Sequence, residues 1–414
     1  MKRRFGVVGV FAFVFVSLVI VGLLPSAVTA KNVELWSWRE AHKDVWDEVN
    51  NQLDDVVDFS AYLNVDYDAV IITSYQSGMG PAILTGKGAQ IITLGEAGAL
   101  APLENLLPEL SEFPEAALSQ VSSGGHIYGV PIVYQTLQVF YNKGIFEKYG
   151  LSEPTTWEEF LETAETLKRN GVTPITVSGR DGWTLGLILA VLGASQLEEE
   201  WIVDLLAGEA KFTDQPFVDL LARVRDLQAY FQDGFMGYGY GDMGQMFLRQ
   251  EAAMRIDGSF ALPGILGNKP ADMEVGMFLG PVLDEEQDQK AYLFLDGGLG
   301  LGAAEKNNQS ALEVLRYATT ASFTKTWYDK LIEIPALPGV IEDRSNPLFA
   351  ELLDYADNSV GNLFAVRSVF ERGTPSISTL VNAGLQGLFT GDLTPEELAE
   401  EIQIGISSWY PAFK

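Results

Sequence analysis

A chain of 414 residues with 56 acidic and 27 basic side chains carries a formal net charge of -29, a field that repels phosphate backbones and argues against nucleic acid as a partner. It has no cysteine, which removes disulfides, thiolate metal sites, thiol nucleophiles and the cysteine of a lipid-modified export signal. A hydrophobic share of 47% without a low-complexity tract fits a well-packed globular protein too long for one ordinary core.

Residues 1–30 read as an export signal. Lys2, Arg3 and Arg4 precede an apolar run from Phe5 to Leu24, followed by Pro25 and the small-residue stretch Ser26 to Ala30, the layout of a secretory peptide cleaved after Ala30. The run is long for a signal core, so an uncleaved membrane anchor stays open as the alternative. Either way the remainder is exported, and a periplasmic location is expected.

Beyond it, Val33 to Trp38 predicts a first strand, and Val45, Trp46 and Val49 lie on one face of a following helix. Val56 to Tyr62 is a second strand, leading to a helix stopped at Ser77-Gly78-Met79-Gly80-Pro81. Ala82 to Leu84 is a third strand opening into the loop Thr85 to Gly88. This alternation predicts α/β layers with mainly parallel sheets flanked by helices. Ligands of such sheets sit at the carboxyl ends of strands, where Trp36, Trp38 and Thr85 to Gly88 gather.

Tyr128 to Lys143 is a Val-, Ile- and aromatic-rich stretch with Gln135, Thr136 and Gln138 in its middle. It predicts a central strand buried on both faces. Buried amides need partners, which are either internal or a ligand in a cleft that offers Gln135. Thr156 with Glu159 marks a capping box ahead of a helix to Asn170, and Thr173 to Val177 is a strand. Gly179-Arg180-Asp181-Gly182-Trp183 opens further helices, and Gly234 to Gly244 reads as a glycine- and tyrosine-rich loop. A strand then ends at Asp257-Gly258-Ser259-Phe260. Asp284 to Lys290 is a charged surface connection, Tyr292 to Leu295 a strand ending at Asp296-Gly297-Gly298, and Ile334 to Val340 a crossing segment before a helical end.

The residues at these strand ends recur in type. Trp36, Trp38, Trp183 and Phe260 offer aromatic faces, and Arg39, Lys87, Gln135, Asp181, Asp257, Ser259 and Asp296 offer polar groups that bond hydroxyls. That combination suits a carbohydrate, although each ring taken alone is more often core. Enzyme signatures fail. His42 and His126 are the only histidines, and no metalloprotease or serine-hydrolase pattern stands out. The glycines from Gly80 to Gly88 miss the phosphate-loop spacing and lack the Ser or Thr after Lys87. Asp284 to Asp288 lacks the central glycine of a calcium loop, and carboxylate pairs such as Asp181 with Asp257 are inevitable by chance among so many acids. No catalytic residue, metal or cofactor is expected.

Taken in order, LWSWRE at Leu35 to Glu40, SGMGP at Ser77 to Pro81, YGVPIVYQTLQVFYNKGIF at Tyr128 to Phe146 and PTTWEEFLETAETLK at Pro154 to Lys168 resemble a known family. So do DGWTLGL at Asp181 to Leu187, FLRQEAAMRIDGSFALPGI at Phe247 to Ile265, LDGGLGL at Leu295 to Leu301 and RGTPSISTLVNAGLQGL at Arg372 to Leu388. The chain is similar to the extracellular solute-binding proteins of ATP-driven (ABC) sugar importers, family 1, the group that includes maltose-binding protein. The resemblance implies a two-lobed periplasmic-binding-protein fold of type II, with lobes 31–134 plus 291–338 and 135–290 plus 339–414 joined by hinge crossovers. It also implies ligand contacts at Trp36, Trp38, Arg39, Thr85, Lys87, Gln135 and Phe260, and its matched stretches add Gly297 and Arg372 to the candidates. Two departures stand out. Ala82 replaces the Asp usual after the Gly-Pro, and the next loop reads TGKG without an aromatic or arginine. The implied function is capture of a sugar or oligosaccharide by closure of a monomer that delivers it to membrane permease subunits, with ATP hydrolysed by a separate cytoplasmic subunit. A secreted carbohydrate-active enzyme and a non-transport solute sensor on the same fold are the alternatives.

Overall fold

Short apolar runs alternating with helices build a parallel sheet, and the first third of the chain does this. Strand β1 (Val33–Ser37) pairs in parallel with β2 (Val57–Ala61) and β3 (Ile83–Gly86). The helix His42–Gln52 covers them through His42, Val45, Trp46 and Val49, residues three and four apart that share one helix face. The computed structural model describes residues 32–342, 344–357, 359 and 368–414. The export signal expected over residues 1–30 lies outside them.

A small hairpin follows, β4 (Ser122–Ser123) with β5 (His126–Ile127), turned by Gly124 and Gly125 at φ 59° and 85°. Two successive positive φ values are the reason that both turn residues are glycine. The chain then enters β6 (Gly129–Asn142), buried along almost its whole length, as its apolar composition predicts. Further on come β7 (Thr173–Thr176), β8 (Ala252–Gly258), β9 (Val275–Phe278), β10 (Tyr292–Leu301) and β11 (Ile334–Pro335). Hydrogen bonding links the strands in the order β2-β1-β3-β10-β6-β8-β7, with β9 and β11 also paired to β6. The sheet is mixed. Its parallel pairs are β1 with β2 and β3, and β7 with β8, while every pairing of β6 and β10 is antiparallel.

These two long strands tie separate bodies of packed side chains. Val130, Ile132 and Val133 of β6 and Leu295, Leu299 and Leu301 of β10 join Trp46, Tyr67 and Trp327 in one cluster. Leu137, Val139 and Tyr141 of β6 and Tyr292 and Phe294 of β10 join Phe160, Leu192 and Leu221 in a second. A smaller third cluster packs Phe140 with Phe247, Leu262 and Phe349. The helix Trp183–Gln196, apolar on most of its circumference, runs through the second body.

Three local expectations change. Thr85 and Gly86 belong to β3 and not to a loop, because β10 pairs alongside and extends the ladder to Gly298↔Gly86. The stretch read as a glycine- and tyrosine-rich loop holds the helix Tyr240–Leu248. Its glycines hid a face of Met243, Met246 and Phe247, and Asp242 accepts the Gly239 amide at 2.9 Å to cap it. Finally, β10 does not stop at Leu295 but continues to Leu301, passing Asp296 as a bulge. Among the described residues no helix is long and apolar enough to cross a membrane.

The capping box is present at the helix Trp157–Arg169. Thr156 Oγ1 accepts the Glu159 amide at 3.3 Å, and Glu159 returns the bond to the Thr156 amide at 3.1 Å. Thr156→Ala is expected to lower stability by about 1 kcal/mol, read as a shift of the urea midpoint at constant slope.

Candidate ligand-binding site

β1 ends with Ser37, and the chain turns outward through Trp38 and Arg39 next to the crossing strands. The Arg39 guanidinium donates from Nη1 to Glu333 Oε1 at 2.6 Å and from Nη2 to Asp296 Oδ2. Its Cζ lies 5.7 Å from the centre of the Trp38 ring and 5.2 Å from that of Phe260, within reach of both π faces. Trp38 packs in the first body and Phe260 against the second and third. One cation therefore touches both sides of the junction.

Asp296 reaches Arg39 because of the bulge. Leu295 is in register with Tyr134 and Gly297 with Val133, leaving Asp296 unpaired between them, and a bulge of this kind re-aims a side chain. Glu333 arrives from the segment just before β11. It is 2% exposed and satisfied by donors on both oxygens: Arg39 and Gln135 Nε2 (2.7 Å) on Oε1, and Trp327 Nε1 (2.7 Å) on Oε2. The other end of the Gln135 amide accepts from Ser259 Oγ at 2.5 Å, and that oxygen accepts the Thr136 amide at 3.0 Å. Thr136 Oγ1 and the Gln138 amide are hydrogen-bonded to each other at 2.9 Å. All three polar residues in the middle of β6 thus take the internal solution to burial.

Around this network the rings form two groups. Trp38 lies 5.7 Å from Tyr67, which lies 6.2 Å from Tyr62, itself 4.8 Å from Trp36. The Tyr67 hydroxyl is within 2.9 Å of the Trp36 carbonyl and 2.7 Å of the Thr85 carbonyl, tying the ends of β1 and β3. On the opposite side Trp183 lies 5.0 Å from Tyr240 and 6.3 Å from Phe260. Gly258 permits the Phe260 ring to fold back, since a Cβ there would meet ring carbon Cε1 at 2.1 Å.

The predicted residues divide accordingly. Trp38, Arg39, Lys87, Asp296, Trp183 and Phe260 come together, with Lys87 Nζ 5.6 Å from the Trp38 ring and 3.3 Å from Asn64 Oδ1. Asp181 stands beside them, accepting the Tyr240 amide at 2.6 Å. Gln135 and Ser259 are close by but buried and engaged with protein. Trp36 is also buried, its Nε1 donating to Glu34 Oε1 at 2.8 Å. Thr85 is fully buried, and Gly297 sits at the bulge against Val133.

Asp257 is held in an internal pair with Arg255 (Nε–Oδ2 2.7 Å), with the Gly258 amide on its other oxygen and the Tyr240 hydroxyl bonded to it. Burial raises its pKa, and Arg255 and the Gly258 amide pull the other way. Arg372 is exposed on the turn before the helix Ile377–Thr390, where Gly373 lies on the Trp409 ring, and the contacts that join the other residues do not extend to it. Sequence reasoning missed Glu333 and Tyr240. A readable signal for the first was a lone carboxylate inside the apolar run Leu331-Ile332-Glu333-Ile334.

The fold is that of the two-lobed, type II periplasmic solute-binding proteins. Among solved structures a chitin oligosaccharide binding protein superposes with a TM-score of 0.78 at 24% identity, covering 92% of this chain and 98% of that one. The chain belongs to the bacterial extracellular solute-binding protein family, whose model matches residues 47–325. It is 28% identical over 229 residues to the multiple sugar-binding protein of Streptococcus mutans serotype c (strain ATCC 700610 / UA159), covering 54% of each chain. It is 22% identical over 348 residues to the sn-glycerol-3-phosphate-binding periplasmic protein UgpB of Escherichia coli (strain K12), covering 79% of this chain and 78% of that one. The chain spans about half the length of the sugar-binding relatives it matches.

Beneath the site, His42 is fully buried with Nδ1 at 2.7 Å from Ser37 Oγ, its ring 4.7 Å from that of Trp327 and 5.9 Å from that of Trp38. Burial, reinforced by the charge of Arg39, holds its pKa well below 6.5. The unfolded chain therefore binds the proton first as pH falls, so stability is greatest above pH 6.5 and declines below it. The decline is expected to reach about 1.4 kcal/mol per pH unit until the buried ring itself protonates. His42→Asn should remove this slope. Denaturant melts of both proteins between about pH 7.5 and about pH 5.5 check it, with the stability gap narrowing toward acid.

Proposed function

We propose that this chain is the substrate-binding component of an ABC importer, capturing a sugar or oligosaccharide between two lobes and presenting it to membrane permease subunits. The observation that carries the reading is the convergence of the Trp38, Phe260 and Trp183 rings on the polar group of Arg39 and Asp296 where the packed bodies meet. Aromatic faces pack on the C–H surface of a pyranose, and the surrounding donors and acceptors replace water on its hydroxyls. Trp38, Arg39, Lys87, Asp181, Trp183, Phe260 and Asp296 are the residues proposed to touch ligand, with Gln135, Ser259 and Glu333 holding them. Family membership and the sugar-binding relatives support the solute class.

The lobes are proposed to be 31–134 plus 291–338 and 135–290 plus 339–414. The packing supports the β6 boundary, where the clusters change between Val133 and Leu137. On β10 the change falls between Phe294 and Leu295, so Tyr292 and Phe294 pack with the second body although they lie within 291–338. Groups on both sides reach one ligand only in the closed arrangement, so ligand draws the population toward closure by its differential affinity. The closed monomer, exported to the periplasm, is what a permease would read. No chemical step on the sugar is assigned to the chain.

A thermal-shift screen of residues 31–414 against mono- and oligosaccharides, amino acids and polyamines tests the class. A sugar at about a hundred times its dissociation constant is expected to add roughly 2.7 kcal/mol of stability. Response to a different solute alone would overturn the sugar assignment. With the responding sugar in hand, Trp183→Ala and Phe260→Ala are each expected to weaken binding about tenfold or more, with the melting temperature of the free protein nearly unchanged. Unaltered affinity in both variants would remove these rings from the site.

A further inference from the structure

The charge arrangement at Arg39 bears on which solutes the site admits, and this inference rests on the solute-binding reading above. A lone arginine between two aromatic rings is a ready receptor for phosphate or carboxylate, because its fork of N–H donors fits such anions bidentately. Here that fork is already occupied. Asp296 takes Nη2 and Glu333 takes Nη1, so the cation stands between two carboxylates. Glu333 is itself held by Trp327 and Gln135 and is buried.

The next cations outward are held less tightly. Arg180 lies 3.9 Å from Asp181 and 3.8 Å from Asp242, while Lys87 turns its Nζ to the Asn64 amide oxygen. The junction thus sets Arg39 against Asp296 and Glu333, and the more exposed Arg180 near Asp181 and Asp242, within a chain whose formal charge is -29. An anion approaching Arg39 meets two carboxylates already bonded to its guanidinium, and such like-charge juxtapositions are unfavourable. A neutral polyhydroxyl compound meets only donors and acceptors.

We propose that Glu333 and Asp296 act as a charge filter, clamping Arg39 so that the site selects uncharged saccharides over their phosphate esters.

Isothermal titration of the mature chain with the neutral sugar found in the screen, with its phosphate ester and with sn-glycerol-3-phosphate tests it. The anions are expected to bind at least about tenfold more weakly than the neutral sugar. Glu333→Gln and Asp296→Asn, measured in parallel because either one alone risks a folding defect, should each narrow that ratio by about tenfold. Raised salt should narrow it in the parent protein as well, since screening weakens repulsion. Equal affinity of the parent for ester and sugar, or an unchanged ratio in every variant that folds, would overturn the filter while leaving the binding reading intact. Binding of neither class would instead overturn that reading, and the filter with it.

Discussion

Everything at the junction depends on one buried carboxylate. Glu333 is withdrawn from water, and a charge so placed is tolerated only if it is paired and hydrogen-bonded. Its three donors come from distant parts of the chain: Arg39 after β1, Gln135 in the middle of β6 and Trp327 in the helix Ala321–Leu331. Loss of a partner from such a group is worth roughly 3–5 kcal/mol, so the three elements are held in register by an electrostatic requirement. Packing alone would fix them less sharply, because apolar surfaces tolerate small slips that a carboxylate with committed lone pairs does not.

The same logic accounts for the second buried charge. Asp257 and Arg255 lie on one face of β8, two residues apart, and satisfy one another together with Tyr240. That pair stiffens the end of the strand from which Ser259 and Phe260 project, and Ser259 passes the connection on to Gln135. A continuous set of hydrogen bonds therefore runs from Trp327 through Glu333, Gln135 and Ser259 to the turn that carries the Phe260 ring. The aromatic surface is mobile only as far as this set permits.

Much of this was legible in the sequence where one pattern had one structural meaning. The β1, β6 and β8 runs, the Thr156 capping box and the Gly-Pro stop of the helix Asn64–Gln76 were readable because β-branched runs, cap residues and helix breakers act locally. The grouping of Trp38, Arg39, Trp183, Phe260 and Asp296 was readable because strand ends of an α/β sheet face one side. What escaped was set by long-range partners. Asp257 looks like a site acid until Arg255, Gly258 and Tyr240 are placed around it. Tyr240 looks like a loop residue until Met243 and Phe247 find a core to bury against. Glu333 is 294 positions from Arg39, and no spacing rule connects them.

The bulge at Asp296 has a mechanical consequence. It interrupts the β10–β6 ladder close to where side chains pass from one packed body to the other, and a ladder bends most easily where a rung is missing. In a rotation about that point, displacement grows with radius. Atoms at the pivot, Asp296 and the guanidinium it holds, travel little, whereas the rings of Trp183 and Tyr240 on the far side sweep further. In such a rotation the ionic centre is the anvil and the outlying rings are the jaw, which ties the stiffness of one charged knot to the reach of the aromatic surface opposite it.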